Sequence, residues 1–187
     1  KDSDAYLQAS LYAYKLEPSA DAAVGCAAMA FKKGDIDGSV KFFDEAINLE
    51  TDNAKKADNA YKAASVLASA KKLSQARSYA QKAISFNENF GAPYILIAQL
   101  YAGNYKWNDE PALNKCTFFA AIDKLQRAKA VDPSVAEEAN KLISSYSAYT
   151  PEAKDLFMLG YKAGDRITIG GSVSYTHLRA HETELHL

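Results

Sequence analysis

The chain has 187 residues, of which 48% are hydrophobic and 24% charged, and its formal net charge is −1. A chain of this length forms one globular domain or one short repeat array. Basic and acidic residues are interleaved along it, which predicts no nucleic-acid partner. No apolar run is long enough to span a bilayer, which predicts no membrane insertion. Two cysteines are too few for a disulfide framework.

Taken in chain order, the first predicted helix lies within residues 1–19. Residues 20–53 then form two short amphipathic helices joined at Gly34, a residue type that readily ends a helix. Because one such hairpin cannot bury its own apolar face, it must stack on copies of itself. Copies are predicted over residues 57–90 and 91–133. Alanines recur at the equivalent inward-facing place in the second helix of each hairpin, at Ala46, Ala83 and Ala128, and at Ala13 in the first predicted helix, which is the second half of a partial unit.

The inward-facing residues of each hairpin follow the spacing of three to four residues that is typical of an amphipathic helix. In the first helices they are Ala23, Cys26, Ala27, Ala30, Ala60, Ala63, Ala64, Leu67, Tyr94, Ile97, Ala98 and Tyr101. In the second helices they are Ser39, Phe43, Ala46, Ile47, Ala76, Ala80, Ala83, Ile84, Ala121, Leu125 and Ala128. Since alanine buries little apolar area, we expect the middle of the array to be marginally stable without its neighbours.

The last hairpin carries the most complete version of a known family pattern. It consists of Tyr94, Ile97, Ala98 and Tyr101, followed in the second helix by Ala121, Leu125, Ala128 and Pro133. These residues resemble the tetratricopeptide repeat (TPR) family, whose unit is a helix–turn–helix of about 34 residues. The resemblance implies an all-α solenoid over residues 1–149, with about three TPR-like units after a partial one, and a bacterial origin. Ala23 and Ala60 depart from the pattern, because the family has a large aromatic residue there.

Residues beyond the third hairpin are expected to close the array. A helix over residues 134–147 covers the end of the stack, and residues 150–171 form a capping segment. Thr150 and Pro151 predict the start of a short helix, and the β-branched residues in 166–171 predict a short strand. A lone strand is marginal, so either its partner lies further along the chain or the strand belongs to a tail.

Residues 173–183 resemble a translation of the adapter DNA that is used to prepare sequencing libraries. The resemblance predicts that residues 172–187 are a non-native tail. All three histidines lie in or just beyond this stretch, at His177, His181 and His186. The first two are spaced to share a helical face, but nothing suggests a third ligand, so no metal site is predicted. The chain starts without a methionine, so we expect a fragment or a processed product.

The sequence carries no recognisable catalytic chemistry. Outside the predicted tail it has no histidine, and it contains neither a glycine-rich phosphate loop nor a Cys-x-x-Cys pair. Neighbouring carboxylates such as Asp44 and Glu45 point in different directions on a helix, so we expect them on solvated faces. The sequence therefore predicts no enzyme, no catalytic residue and no cofactor.

A stacked array of this kind presents a concave surface lined by the first helix of each unit. The residues expected to face a partner there are Val24, Ala28, Phe31, Tyr61, Ser65, Ile95 and Gln99. The TPR family's clamp of lysine and asparagine for a terminal carboxylate does not carry over, because these positions hold neither residue type. An apolar and aromatic groove suits an amphipathic helix or an extended apolar segment instead. The alternative is that these side chains pack against one another or against a flanking helix.

The longest repeat carries extra residues between its two helices, around Trp107, the single tryptophan. We expect Asp109 to cap the second helix and Pro111 to lie in its first turn, which extends this helix backwards. The remaining loop then holds Tyr105 and Trp107. A tryptophan in such a loop is a candidate hot spot for binding. The alternative is that Trp107 packs onto the helix ends as a plug.

These observations predict a non-enzymatic scaffold that binds a protein or a peptide on its concave face. One alternative is a regulatory or substrate-presenting module of a larger enzyme or cell-envelope assembly. Another is a structural spacer that associates with itself through its ends. By analogy with repeat proteins of bacterial envelopes, the location is the periplasm or envelope, with the cytoplasm as the alternative.

Overall fold

The computed structural model describes residues 4–162, 165, 167–170 and 175–176. The chain divides into two compact units, Lys1–Leu96 and Ile97–Leu187. Each unit is described by itself below. The predicted all-α repeat architecture is confirmed.

The first unit is a series of helices in which each packs against the next along the chain. Its helices are α1 (Asp4–Leu16), α2 (Ala20–Lys32), α3 (Ile36–Leu49), α4 (Asn53–Ser69) and α5 (Leu73–Phe86). A further helix, α6 (Gly91–Gly103), begins in the first unit and ends in the second. The pairs α2–α3 and α4–α5 are therefore two consecutive helical hairpins, as the repeat pattern predicts.

The second unit is built around its longest helix, α7 (Pro111–Val131), which contacts the elements that follow it. These are a 3-10 turn (Pro133–Val135), α8 (Ala136–Ser147), α9 (Ala153–Met158) and the strand β1 (Thr168–Ile169). The strand β1 pairs antiparallel with β2 (Tyr175–Thr176), with Thr168 opposite Thr176 and Ile169 opposite Tyr175. The pairing partner of the predicted strand, which the sequence did not locate, thus lies within residues 172–187, the segment predicted to be a non-native tail. The three histidines lie outside the described residues.

The core of the hairpins matches the predicted inward residues closely. All of those named above for the first and second helices are buried, except Ile84, which is half-buried. Ala46, Ala83 and Ala128 are fully buried, but the equivalent Ala13 in α1 is exposed. The prediction for Ala13 was wrong, because among the helices of the first unit α1 packs chiefly against α2, which covers only one of its faces.

Two predicted helix starts also differ from the structure. The side chain of Glu110, rather than that of Asp109, caps α7 by accepting a hydrogen bond from the backbone N–H of Ala112 at 3.2 Å. Pro111 lies in the first turn, so this helix does extend backwards into the insertion. Thr150 does not cap α9, since its hydroxyl donates to the carbonyl oxygen of Ser147 at 2.9 Å and α9 begins only at Ala153.

Candidate protein-interaction surface

The first helices of the two hairpins, α2 and α4, contribute to one apolar cluster. Ala27 of α2 shares one apolar cluster with Phe43 of α3 and with Ala63 and Val66 of α4. Small residues at these contacts allow close packing of the helices, because an alanine adds little bulk between two backbones. We call the residues at the outward positions of α2 and α4 the α2–α4 face.

Six residues that are not fully buried line the α2–α4 face. They are Val24, Ala28 and Phe31 on α2 and Tyr61, Ser65 and Ala68 on α4. Phe31 is 43% exposed and the other five are half-buried. In the repeat, Val24 is equivalent to Tyr61, and Phe31 is equivalent to Ala68. The larger side chains of the face are thus Phe31 on α2 and Tyr61 on α4, and a smaller side chain occupies the equivalent position on the other helix.

The residues on α4 are held in place by local contacts. The ring of Tyr61 meets the ring of Phe90 edge to face at a centroid distance of 5.3 Å, and it also packs against the cluster that contains Ile47. The hydroxyl of Ser65 donates to the carbonyl oxygen of Tyr61 at 3.0 Å. Because this hydroxyl is satisfied within the helix, it does not require water or a polar partner on the α2–α4 face.

Two of the residues predicted for this surface do not belong to the α2–α4 face. Ile95 is only 4% exposed, so its side chain has almost no surface to offer a partner. The reason is that α6 is apolar on nearly all sides, and its sequence pattern could not indicate which side is buried. Gln99 is exposed and lies in the second unit.

The insertion before α7 is fixed by hydrogen bonds to Asn114. The side-chain oxygen of Asn114 accepts from the backbone N–H groups of Trp107 and Asn108, both at 2.8 Å. Its amide nitrogen donates to the carbonyl oxygen of Asn108 at 2.7 Å. Sequence reasoning missed Asn114, although a polar residue on the inward stripe of a helix usually indicates such a network.

The indole of Trp107 is directed inward. Its Nε1 donates to the hydroxyl of the fully buried Thr117 at 3.1 Å, and its ring packs beside the cluster of Cys116 and Ile167. Tyr105 lies against Phe118, with ring centroids 5.4 Å apart. These contacts are those of a plug, the alternative that the sequence left open, and they leave Trp107 half-buried.

Charged and polar residues of the first unit connect the second helices of consecutive hairpins. Asp44 of α3 accepts hydrogen bonds from the hydroxyl of Tyr79 at 2.6 Å and from Nζ of Lys82 at 3.1 Å, both on α5. Burial and the bond to Asp44 raise the pKa of Tyr79 above its usual value. The carboxylate of Asp44 is therefore part of a structural contact between hairpins, which the sequence did not indicate.

Burial raises the pKa of the Cys116 thiol to about 11, so it remains protonated near neutral pH and is a poor nucleophile. The described residues contain no cluster of three histidine, cysteine or acidic side chains that could hold a metal ion. Among the helices that the structure describes, none combines the length and the apolar character needed to cross a bilayer.

Comparison with known proteins supports the fold. No family model matches the chain, and no curated protein matches it. Among solved structures, the chain is similar to MamA, a TPR-like helical repeat protein, with a TM-score of 0.52 and 15% sequence identity. The match covers 82% of this chain and 86% of the MamA chain. At this identity the likeness shows the fold alone, which is a TPR-like helical repeat.

Proposed function

We propose that this chain is a non-enzymatic scaffold that binds a protein partner through the α2–α4 face. The observation that carries the proposal is the exposure of Phe31 on the same helix as the half-buried Val24 and Ala28. A TPR-like fold is the architecture of many interaction scaffolds, because its stacked hairpins present an extended surface.

The chemistry of the face indicates the kind of segment it binds. The face carries the half-buried Val24, Ala28 and Ala68, and Ser65 has its hydroxyl satisfied internally. An amphipathic helix or an extended apolar segment therefore fits better than a charged peptide, and an apolar anchor of that segment would pack on Phe31.

We also propose that the hairpins over residues 20–53, 57–90 and 91–133 are TPR units. The burial of their predicted inward residues supports this assignment, as does the similarity to MamA. The small residues in place of the family's aromatic residue make the first two units unusual, since Ala23 and Ala60 are both fully buried.

The proposed function is tested by selecting a displayed library of random peptides of about 16 residues, roughly four helical turns, on the purified chain. We expect the selected peptides to be amphipathic or apolar and to bind Phe31→Ala at least tenfold more weakly than the parent chain. Ala28→Arg, which places a long charged side chain on the α2–α4 face, should weaken binding at least as much. Fluorescence anisotropy of a labelled peptide measures both effects.

The matched control is Lys41→Ala, which alters an exposed residue on α3. It should leave peptide affinity unchanged. If the selected peptides bind Phe31→Ala and Ala28→Arg as tightly as the parent, or if no peptide is enriched, the α2–α4 face is not the binding site.

A further inference from the structure

Two neighbouring carboxylates of α3 bind the helices on either side of it in the repeat. Asp44 and Glu45 are consecutive, so their side chains leave the helix about 100° apart around its axis. Glu45 accepts a hydrogen bond from the hydroxyl of Tyr14 on α1. Asp44 accepts from the hydroxyl of Tyr79 at 2.6 Å and from Nζ of Lys82 at 3.1 Å, both on α5. We call these interactions the α3 carboxylate bonds.

The rings of both tyrosines are fixed by apolar contacts. The ring of Tyr14 meets that of Phe42 on α3 edge to face, at a centroid distance of 5.6 Å. The rings of Phe42 and Tyr79 pack against the cluster that contains Phe43. Because a tyrosine side chain has only two χ angles, a packed ring holds its hydroxyl in place at low entropic cost. The α3 carboxylate bonds therefore span the gap between helices with stiff side chains.

The packing of α3 against the first helices is of a different kind. The helix lies close to both α2 and α4, and the cluster it shares with them contains Ala27 and Ala63. Small residues let helices approach closely but oppose little change in the angle between them. Since each unit of a repeat stack contacts its neighbours, the angle between units is set at these interfaces. The long side chains between second helices are thus the contacts that can limit this angle.

One other polar contact joins the same helices at the turn end. Lys72, which precedes α5, forms an ion pair with Asp37 in the first turn of α3. The side chain of Asp37 is 84% exposed, whereas that of Asp44 is 37% exposed. Water and salt weaken an exposed ion pair, so this contact constrains the helices less than the bonds to Asp44 do.

We propose that the α3 carboxylate bonds set the angle between consecutive hairpins of the first unit. Breaking one bond lets the second helices on that side of α3 move apart while each helix stays folded. The two sides act separately, since Glu45 binds α1 and Asp44 binds α5. This role concerns the second helices, and it is additional to the binding proposed for the α2–α4 face.

Spin labels at exposed, equivalent positions of the second helices measure each side. The pair Gln8→Cys and Lys41→Cys reports the distance from α1 to α3, and the pair Lys41→Cys and Ser78→Cys reports that from α3 to α5. Electron paramagnetic resonance gives both distance distributions. The thiols of Cys26 and Cys116 are buried and their pKa values are raised by burial, so the parent chain should take up no label. Mass spectrometry checks this.

Each variant should change one distance and leave the other unchanged. Glu45→Ala should lengthen the α1–α3 distance by about 1–2 Å, the size of typical shifts between packed helices, and broaden its distribution. Asp44→Ala should do the same to the α3–α5 distance. Tyr79→Phe should have a smaller effect there, because the lysine bond to Asp44 remains. The control is Asp58→Ala, which removes a carboxylate paired with Lys62 on the same helix and should change neither distance.

Three results would overturn the proposal. The first is an unchanged distance on the side whose bond is removed, because the helices would then be held without it. The second is an equal change on both sides in either variant, which would indicate general loosening of the unit. The third is a loss of helix content by circular dichroism, which would show that the bonds maintain folding rather than an angle. No peptide is present in these measurements, so they leave the proposed scaffold function standing.

Discussion

The two hairpins of the first unit make the same turn with different residues. Between α2 and α3 the chain turns at Gly34, with a φ of 79°, and between α4 and α5 it turns at Lys71, with a φ of 61°. The same hydrogen bond closes both turns, from Asp35 to Ala30 and from Lys72 to Leu67, each at 2.9 Å. Helix packing on either side thus imposes a left-handed conformation even on a lysine.

The hairpins also differ in how their second helices are held. Asp35 caps α3 by accepting from the N–H of Gly38 at 2.9 Å, whereas Lys72 gives α5 no side-chain cap and pairs with Asp37 of α3 instead. The large buried Phe43 fills the core beside the first hairpin, and the equivalent residue of the second is Ala80. Local sequence signals thus specify the conformation of the first hairpin, whereas the conformation of the second hairpin depends more on contacts with the first.

The largest expected effect comes from truncating Phe43, because the second hairpin has no large side chain at the equivalent position. Phe43→Ala should lower the free energy of unfolding of the first unit by about 3–5 kcal/mol, because it leaves a cavity among Ala27, Ala63 and Val66. Urea unfolding followed by circular dichroism measures the loss. Lys41→Ala, on the exposed side of α3, is the control. Equal stability of the two variants would show that Phe43 is not the centre of this core.

Exchanging the residues at the two turns should have smaller effects of opposite sign. A side chain at Gly34 would meet no atom within 4 Å, so Gly34→Ala should destabilise by about 1 kcal/mol through backbone strain alone. Lys71→Gly should stabilise by up to about 1 kcal/mol by relieving the same strain. Lys71→Ala separates loss of the lysine side chain from the backbone effect. Changes of the same sign in Gly34→Ala and Lys71→Gly would contradict the equivalence of the turns.

The smallest effect near neutral pH concerns the contact between α3 and α5. Because the folded pKa of Tyr79 is raised, its stabilising contribution is fully present below the unfolded pKa of about 10. Above that pH the unfolded chain releases the proton and the folded chain retains it, so stability should fall. The equivalent residue in α3 is Phe42, which does not titrate. Tyr79→Phe should therefore show a smaller fall in melting temperature than the parent chain between about pH 9 and 11. If both chains lose the same thermal stability over this range, Tyr79 is not the source of the loss.

Local patterns explain how much of the molecule could be predicted. The spacing of alanines identified the buried faces of α2 to α5 and of α7, because burial on one side of a helix leaves a periodic trace in the sequence. Glycine and proline marked the turn at Gly34 and the start of α7 at Pro111. The surface carrying Val24, Ala28 and Phe31 followed from the same periodicity, since outward positions are fixed once inward ones are known.

Contacts between distant residues were not predictable in this way. The sequence by itself determined the helical repeat and which stripe of most helices is buried. Only the tertiary structure decided that Trp107 is a plug held through Asn114 and Thr117, that Ile95 is buried, and that Asp44 joins Tyr79. Each of these depends on which residue of another segment lies opposite, and helix periodicity carries no information about that. The exposure of Ala13 in α1 has the same origin, because its position matches that of the buried alanines and only the packing leaves it open.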